Sequence, residues 1–386
     1  MAIPFIDLAA QKARIGGAID TAIRRVLDHG AYIMGPEVKT FEADMAAFAK
    51  ARHCLSCANG TDAIELILRG LGITAGDAVF VPAFTFVATA EVVPMTNAEP
   101  VFVDILPDTY NIDPVKLEAA IENVKAEGRL KPAAIIAVDL FGQAADYPAL
   151  SAVAKKYGLH LICDSAQGFG TTIDGKQPLE YCVATATSFY PAKPLGCYGD
   201  GGAVVTNDDA LMERMISFRV HGGATPGDAA TMRFEHETKY LNVRIGMNSR
   251  LDTIQAAVLI EKLNIFAEEI ALRQKVADRY AEKLSGKVLS VPKVRPGHVS
   301  TWAQYTIEHD NRDGLQAHLR VAGIPSAVYY PIPLHQQPGY AMYRSGGLDL
   351  KVSEAKAKTV ISLPFSPYLT EEVQDQIVAA VLGFNG

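Results

Sequence analysis

The sequence predicts an α/β protein built on a mainly parallel sheet with helices packed on both faces. Three observations lead there. From about residue 50, short apolar runs alternate with amphipathic stretches of helical length. The run 133–140 is apolar almost throughout, as a strand covered on both faces must be. The chain has 386 residues, 49% of them hydrophobic, which is ample for a large core and too long for one small domain.

Residues 52–57 read as the first strand, and 61–71 as a helix after a glycine turn. Residues 78–81 read as a strand, 86–96 as a helix, 100–105 as a strand and 114–122 as a helix. The buried strand 133–140 leads to a helix over 147–157 and a strand over 160–163. Residues 184–190 are β-like and run into the cluster Gly199-Asp200-Gly201-Gly202; 203–206 return to the sheet and 209–220 form a helix. The stretch 221–237 is rich in glycine, polar and charged residues and reads as a mobile loop. Two helices follow, over 249–263 and 267–284, the second long and charged, suited to crossing between domains. The remainder reads as a smaller α+β unit, with strands over 301–308 and 327–330 and helices over 315–322, 354–360 and 371–382. The division falls between 1–264 and 265–386.

Composition narrows the function classes. The net charge is -7 with both signs interspersed, so no basic stripe predicts a nucleic-acid partner. Five cysteines, an odd number, argue against a closed disulfide framework. Cys54 and Cys57 have CxxC spacing but no second pair for a metal, and read as small buried residues. The N-terminus has no apolar run of signal-peptide length, and no segment is long enough to span a bilayer; the expected setting is a reducing cytoplasm.

Lys193 carries the chemistry. It lies in Ser188-Phe189-Tyr190-Pro191-Ala192-Lys193-Pro194-Leu195-Gly196, between a β-like run and a glycine-rich turn. Such a turn leaves room for a flat cofactor, and partial desolvation lowers an amine's pKa toward nucleophilicity. Four further segments stand beside it. In Asn59-Gly60-Thr61-Asp62 a strand ends, a glycine turns and a helix begins, which makes either a phosphate cradle or an ordinary cap. Asp164 closes the apolar strand 160–163, where a carboxylate needs a partner: a protonated pyridine nitrogen suits, and so does a turn amide. Gln167 suits a ring hydroxyl or the loop backbone. Of the aromatics after the second strand, Phe86 is assigned to stacking on a cofactor ring and Phe84 to the core. Asn248 reads as the N-cap of a helix whose first turn holds Arg250, a cation set against the helix dipole and so a pointer to an anionic ligand. Tyr329, Tyr330 and His335 flank two prolines in a rigid, hydrogen-bond-rich segment suited to a sugar site or to domain packing. There is neither a P-loop nor a GxGxxG after a strand.

The ordered set of phosphate turn, aromatic, Asp-x-x-Gln, Ser-x-x-x-x-Lys and Gly-Asp-Gly-Gly resembles the DegT/StrS nucleotide-sugar aminotransferases, which depend on pyridoxal 5'-phosphate (PLP). The resemblance runs from Phe5-Ile6-Asp7-Leu8 to Tyr330-Pro331-Ile332-Pro333-Leu334-His335. It implies the aspartate-aminotransferase fold (fold type I), with a mainly parallel seven-stranded sheet in the large domain and a smaller α+β C-terminal domain. It implies that Lys193 bonds covalently to PLP, that Asp164 binds the ring nitrogen and that Gln167 lies near the ring hydroxyl. Gly60, Thr61 and Ser188 match phosphate ligands. Asn248 matches a residue that reaches the neighbouring subunit's cofactor, which implies a homodimer with shared sites.

Within the family, the segments 188–202 and 248–253 look most like enzymes that aminate C3 of a UDP-linked 2-acetamido-3-keto-hexuronic acid, with L-glutamate as donor. Arg250 there matches an arginine on the sugar carboxylate. Position 329 is Tyr where relatives carry His before Tyr-Pro. Two half-reactions at one site imply ping-pong kinetics. Two other functions fit the fold: a deoxygenating PLP enzyme, whose relatives of this appearance replace the lysine with His, and a sugar-sensing regulator.

Overall fold

The computed structural model describes residues 3–231, 240–343 and 345–384. Three helices precede the first strand: α1 (Leu8–Ile15), α2 (Ala18–His29) and α3 (Pro36–Phe48). The Asp7 side chain caps α1 by accepting from the Ala10 amide, Gly30 closes α2 in the left-handed region, and Pro36 opens α3. Their buried residues include Ile19, Val26, Phe41 and Met45.

The alternation read from the sequence follows. β1 (His53–Cys57), α4 (Gly60–Leu71), β2 (Asp77–Pro82), α5 (Ala88–Met95), β3 (Glu99–Val103), α6 (Pro114–Glu127), β4 (Lys131–Val138), α7 (Tyr147–Tyr157) and β5 (His160–Asp164) come in turn. After the short β6 (Thr172–Ile173), β7 (Ala184–Ser188) and β8 (Gly202–Thr206) complete the sheet, and α8 (Asp209–Arg219) packs on α4 and β1. The seven-stranded sheet has the order β1-β8-β7-β5-β4-β2-β3. β8 is antiparallel to both of its neighbours, and the rest pair in parallel. The class is therefore α/β with a mainly parallel sheet, as predicted.

Alternate residues of each strand feed opposite faces. Val79, Val81 and Ile136 pack with Ile64 and Leu68 of α4, whereas Phe80, Ile135 and Leu161 pack with Leu117, Ile121 and Leu150 of α6 and α7. Cys57 is a buried free thiol in the first of these clusters and Cys54 in a third, with Phe41 and Met45 of α3; burial pushes both pKa values up.

Beyond the sheet the structure departs from the sequence reading in four places. Within the predicted loop 221–237 a short helix forms, α9 (Pro226–Thr231), opened by a proline; residues 232–237 lie outside the described residues. A single helix, α10 (Thr253–Leu284), replaces the two predicted over 249–263 and 267–284. No breaker occupies 264–266, and Phe266 is wholly buried against Phe48 and Phe169. The strand predicted over 301–308 begins only at Tyr305, after β9 (His298–Val299) and a turn with Trp302 at positive φ: it is β10 (Tyr305–Glu308). After α11 (Arg312–Val321), the strand predicted over 327–330 is reduced to one bridge, Ala327 to Ser362, because the chain then turns away to line a cavity. α12 (Lys351–Thr359), β11 (Val360–Leu363) and α13 (Glu371–Leu382) end the chain.

α10 packs on α2 and α3 at one end and on α13 at the other. Its far end, with Val276, Tyr280 and Leu284, joins Tyr305, Leu315, Ile361 and Ile377 in a second core. Two polar clusters tie that part to the sheet. Asp104, just past β3, accepts from the amides of Val352 (3.0 Å) and Ser353 (2.8 Å) and so caps α12 from a distance. Glu308 accepts from the Tyr110 hydroxyl at 2.8 Å and from Lys356 Nζ at 2.7 Å.

Candidate active site

Parallel sheets place ligands at the carboxyl ends of their strands, where the connecting loops diverge. Here a cavity of about 780 Å³ opens at that edge. It takes Asp164 from the end of β5, Ser188 from the end of β7, and Gly60 and Thr61 from the start of α4. Phe86 comes from the turn after β2, and Tyr329, Tyr330 and Ile332 from the segment that abandons strand geometry. Lys193 reaches it from the loop between β7 and β8.

That loop is held from both sides. The Cys197 amide donates to Phe189 O at 2.8 Å and the Phe189 amide to Gly201 O at 2.7 Å. Gly196 is forced, since a Cβ there would lie 2.6 Å from Pro191 O. From α10, Gln255 Oε1 accepts from the Tyr198 amide at 2.8 Å, and Lys262 Nζ lies 4.5 Å over the Tyr198 ring.

Asp164 is buried, and its carboxylate is engaged on both oxygens. Oδ2 accepts from the Thr89 hydroxyl at 2.8 Å and Oδ1 from the Ala166 amide at 3.1 Å. Burial raises its pKa, against Thr89, Ala166 and the nearby charge of Lys193. Burial also lowers the pKa of Lys193, against Asp164, so the amine is neutral at lower pH than an ordinary lysine.

At the start of α4, Asn59 Oδ1 accepts from the Asp62 amide at 2.8 Å. The helix leaves the Gly60 and Thr61 amides without intrahelical acceptors, beside the Thr61 and Ser188 side chains that line the cavity. The backbone is pressed tight here: a Cβ on Gly60 would lie 2.6 Å from Ser188 Cβ, and one on Gly202 2.3 Å from Asn59 O.

Phe86 is exposed and lines the cavity, whereas Phe84 is buried with Tyr110 and Phe141. Gln167 is spoken for at both ends: its Oε1 accepts from the Phe141 amide at 2.6 Å and its Nε2 donates to the Tyr330 hydroxyl at 3.2 Å. Three sequence candidates are not brought into this cavity. Asn248 is exposed, and Arg250 precedes α10 instead of lying in its first turn; the N-cap is Asp252, so the dipole argument for Arg250 lapses. Arg250 Nε is nonetheless buried without a hydrogen-bond partner. His335 turns to Glu354 (3.1 Å) behind the cavity wall. Sequence reasoning missed Thr89, whose only signal is a hydroxyl in a helix facing the end of β5. Among the lining residues, Lys193 is the one basic side chain.

Comparison with known proteins agrees with this geometry. Residues 13–382 match the model of the DegT/DnrJ/EryC1/StrS aminotransferase family. A UDP-2-acetamido-2-deoxy-3-oxo-D-glucuronate aminotransferase of Pseudomonas aeruginosa is 47% identical over 380 residues, covering 98% of this chain and 99% of its own. A crystal structure of a DegT DnrJ EryC1 StrS aminotransferase from Brucella abortus superposes with a TM-score of 0.94 at 50% identity, covering 100% of both chains. The structure of NtdA from Bacillus subtilis with bound pyridoxamine phosphate (PMP) superposes with a TM-score of 0.81 at 28% identity, covering 98% of this chain and 82% of that one.

The residues present fit PLP. The start of α4, with Ser188 beside it, offers two amides and two hydroxyls to a phosphate, and the engaged, buried Asp164 offers a carboxylate to a ring nitrogen. Lys193 is a half-buried amine with a depressed pKa, suited to a carbonyl.

Proposed function

This chain belongs to the DegT/DnrJ/EryC1/StrS aminotransferase family, and we propose that it moves an amino group from L-glutamate to C3 of a UDP-linked 2-acetamido-3-keto-hexuronic acid. It is a PLP-dependent transaminase. The observation that carries the reading is Lys193 and Asp164 lining one cavity, each influenced by the other's charge, beside the open start of α4. The 3-keto-uronate is supported by the likeness to the Pseudomonas aeruginosa enzyme. The product is an amino sugar for surface polysaccharide, made in the cytoplasm.

Gly60, Thr61 and Ser188 would hold the cofactor phosphate, Asp164 the ring nitrogen and Phe86 one ring face, with Gln167 beside the ring hydroxyl. PLP, when bound, supplies a sink for the electron pair released as a Cα–H bond breaks. Lys193 Nζ takes the proton from the donor Cα and delivers one to C3 of the sugar in the second half-reaction. Burial lowers its pKa against the charge of Asp164, the direction that favours the neutral amine the first transfer needs. Tyr329 and Tyr330 contact the sugar, with His335 packed behind them on Glu354.

A carboxylate needs a cation, and the cavity lining offers Lys193 alone. We place Arg250 and Asn248 in the partner subunit's site of a homodimer, Asn248 on the phosphate and Arg250 on the carboxylate of glutamate or the uronate in turn. We take the chain to divide at 264/265, within α10, which runs on from the large PLP-binding domain into the small C-terminal domain.

The test is the absorbance spectrum of purified, PLP-loaded protein on adding L-glutamate, then the UDP-linked 3-keto-uronic acid. Loss of the visible band with glutamate and its return with the sugar is the expected result. Bleaching without return keeps the transaminase and sinks this sugar in favour of a 3-keto- or 4-keto-6-deoxy sugar. A protein that takes up PLP but shows no response to glutamate favours the sugar-sensing reading.

A further inference from the structure

Asp139, one residue past β4, is wholly buried. Its Oδ1 accepts from the Tyr147 hydroxyl (2.7 Å) and the Ala145 amide (3.1 Å), and its Oδ2 from the Ser165 hydroxyl (3.0 Å) and the Cys163 thiol (3.3 Å). None of these partners is a cation. Burial pushes Asp139 up to about 7 even against those four donors. A carboxylate is an expensive group to bury on such terms.

Its surroundings show what it holds. The Asp139 amide donates to Asp164 O at 3.0 Å. A Cβ on Gly168 would lie 2.2 Å from Asp139 Cβ, so the backbone at Gly168 is flush against the Asp139 side chain. Two residues on, the Phe141 amide donates to Gln167 Oε1 at 2.6 Å. The turn after β4 and the turn after β5 are thus stitched together on both sides of Asp164, and the second turn carries Asp164 and Gln167 into the cavity.

We propose that Asp139 is a positioning residue for PLP binding and amino transfer: its carboxylate, through Ser165 and the backbone at 164 and 168, sets how far Asp164 and Gln167 project into the cavity. This rests on the proposed cofactor site. An asparagine at 139 keeps the shape but replaces one acceptor with an NH2 donor, so Ser165 and Cys163 must turn round to accept and the charged link to the turn is lost.

The experiment compares wild type, Asp139→Asn and Ser165→Ala in three readouts: apo-protein Tm, PLP affinity by titration of the apo-protein, and the split of kcat from KM for glutamate. Ser165→Ala deletes only the side-chain link to the turn and covers the case in which Asp139→Asn fails to fold. The expected result is a Kd for PLP raised about tenfold in Asp139→Asn, and by a smaller factor in Ser165→Ala, the loss of a charge-assisted bond. kcat falls, while KM and the Ser165→Ala Tm stay near wild type. Variants that lose Tm yet bind PLP with wild-type affinity and keep kcat overturn the proposal. Wild type that fails to take up PLP overturns instead the cofactor site itself.

Discussion

The hydroxyl of Thr89, in the first turn of α5, donates to Oδ2 of Asp164 at 2.8 Å, and the Thr85 hydroxyl stands 3.2 Å behind it. The bond links a helix after β2 to the end of β5 and is one of the effects that hold the Asp164 pKa down against burial. Thr89→Val keeps the shape and removes the donor. The Asp164 carboxyl should then hold its proton to higher pH, and PLP affinity at neutral pH should fall about 10- to 100-fold, the range for a hydrogen bond to a charged group. Titration of the apo-protein with PLP measures it.

Lys193→Ala should lower turnover by at least about 10²- to 10⁴-fold, the contribution of a positioned proton-transfer group, and abolish the lysine-bound cofactor band. Single-turnover kinetics with glutamate and a spectrum of the loaded protein check both.

The pH dependence of cofactor uptake follows from the two opposed effects on Lys193. Burial lowers its pKa and Asp164 raises it. The neutral amine attacks, so PLP uptake by the apo-protein should rise with pH and level off below the ordinary lysine value. Asp164→Asn removes the carboxylate that favours the ammonium, so the inflection should move to still lower pH. An inflection that moves upward refutes the assignment of these effects.

The Glu308 cluster predicts a stability loss far from the chemistry. Glu308 and Lys356 are both largely buried, with 2.7 Å between them. Lys356→Met leaves the buried carboxylate with the Tyr110 and Thr359 hydroxyls but without this cation, and should cost up to about 3 to 5 kcal/mol, the range for breaking a buried pair. Urea unfolding of the apo-protein reads this directly.

Shared sites predict complementation. Lys193→Ala and Asn248→Ala should each be inactive alone. When they are unfolded and refolded together, about a quarter of wild-type turnover should return, since half of randomly paired dimers carry one intact site of two. No recovery would show that Asn248 serves its own chain's site or none.

Much of the cavity was legible because its residues sit where strands end. Gly60, Asp164 and Lys193 each interrupt a local pattern with a residue that pattern does not need. Thr89 interrupts nothing, being a hydroxyl inside a helix; Asp139 carries the same signal as Asp164, an acid at the close of an apolar run, but its partners come only from tertiary contacts. The start of α10 was misplaced because Asn248, Ser249 and Asp252 all suit a cap, and local rules cannot choose among them. Residues 327–330 have the side chains of a strand, but Tyr329 and Tyr330 are drawn off the edge by the cavity they line. The helices before residue 50 escaped notice because the alternation that organises the rest begins after them.

α10 is 32 residues long, and at the rise of an α-helix such a rod extends about 48 Å. Near its start Gln255 and Lys262 brace the loop that carries Lys193; near its finish Val276, Tyr280 and Leu284 fill the second core. One stiff lever thus has its two ends in different compartments of the molecule. Damage to packing around Tyr280 should therefore alter how the reactive lysine is presented, and loss of bound cofactor should report lesions that never come near the cofactor.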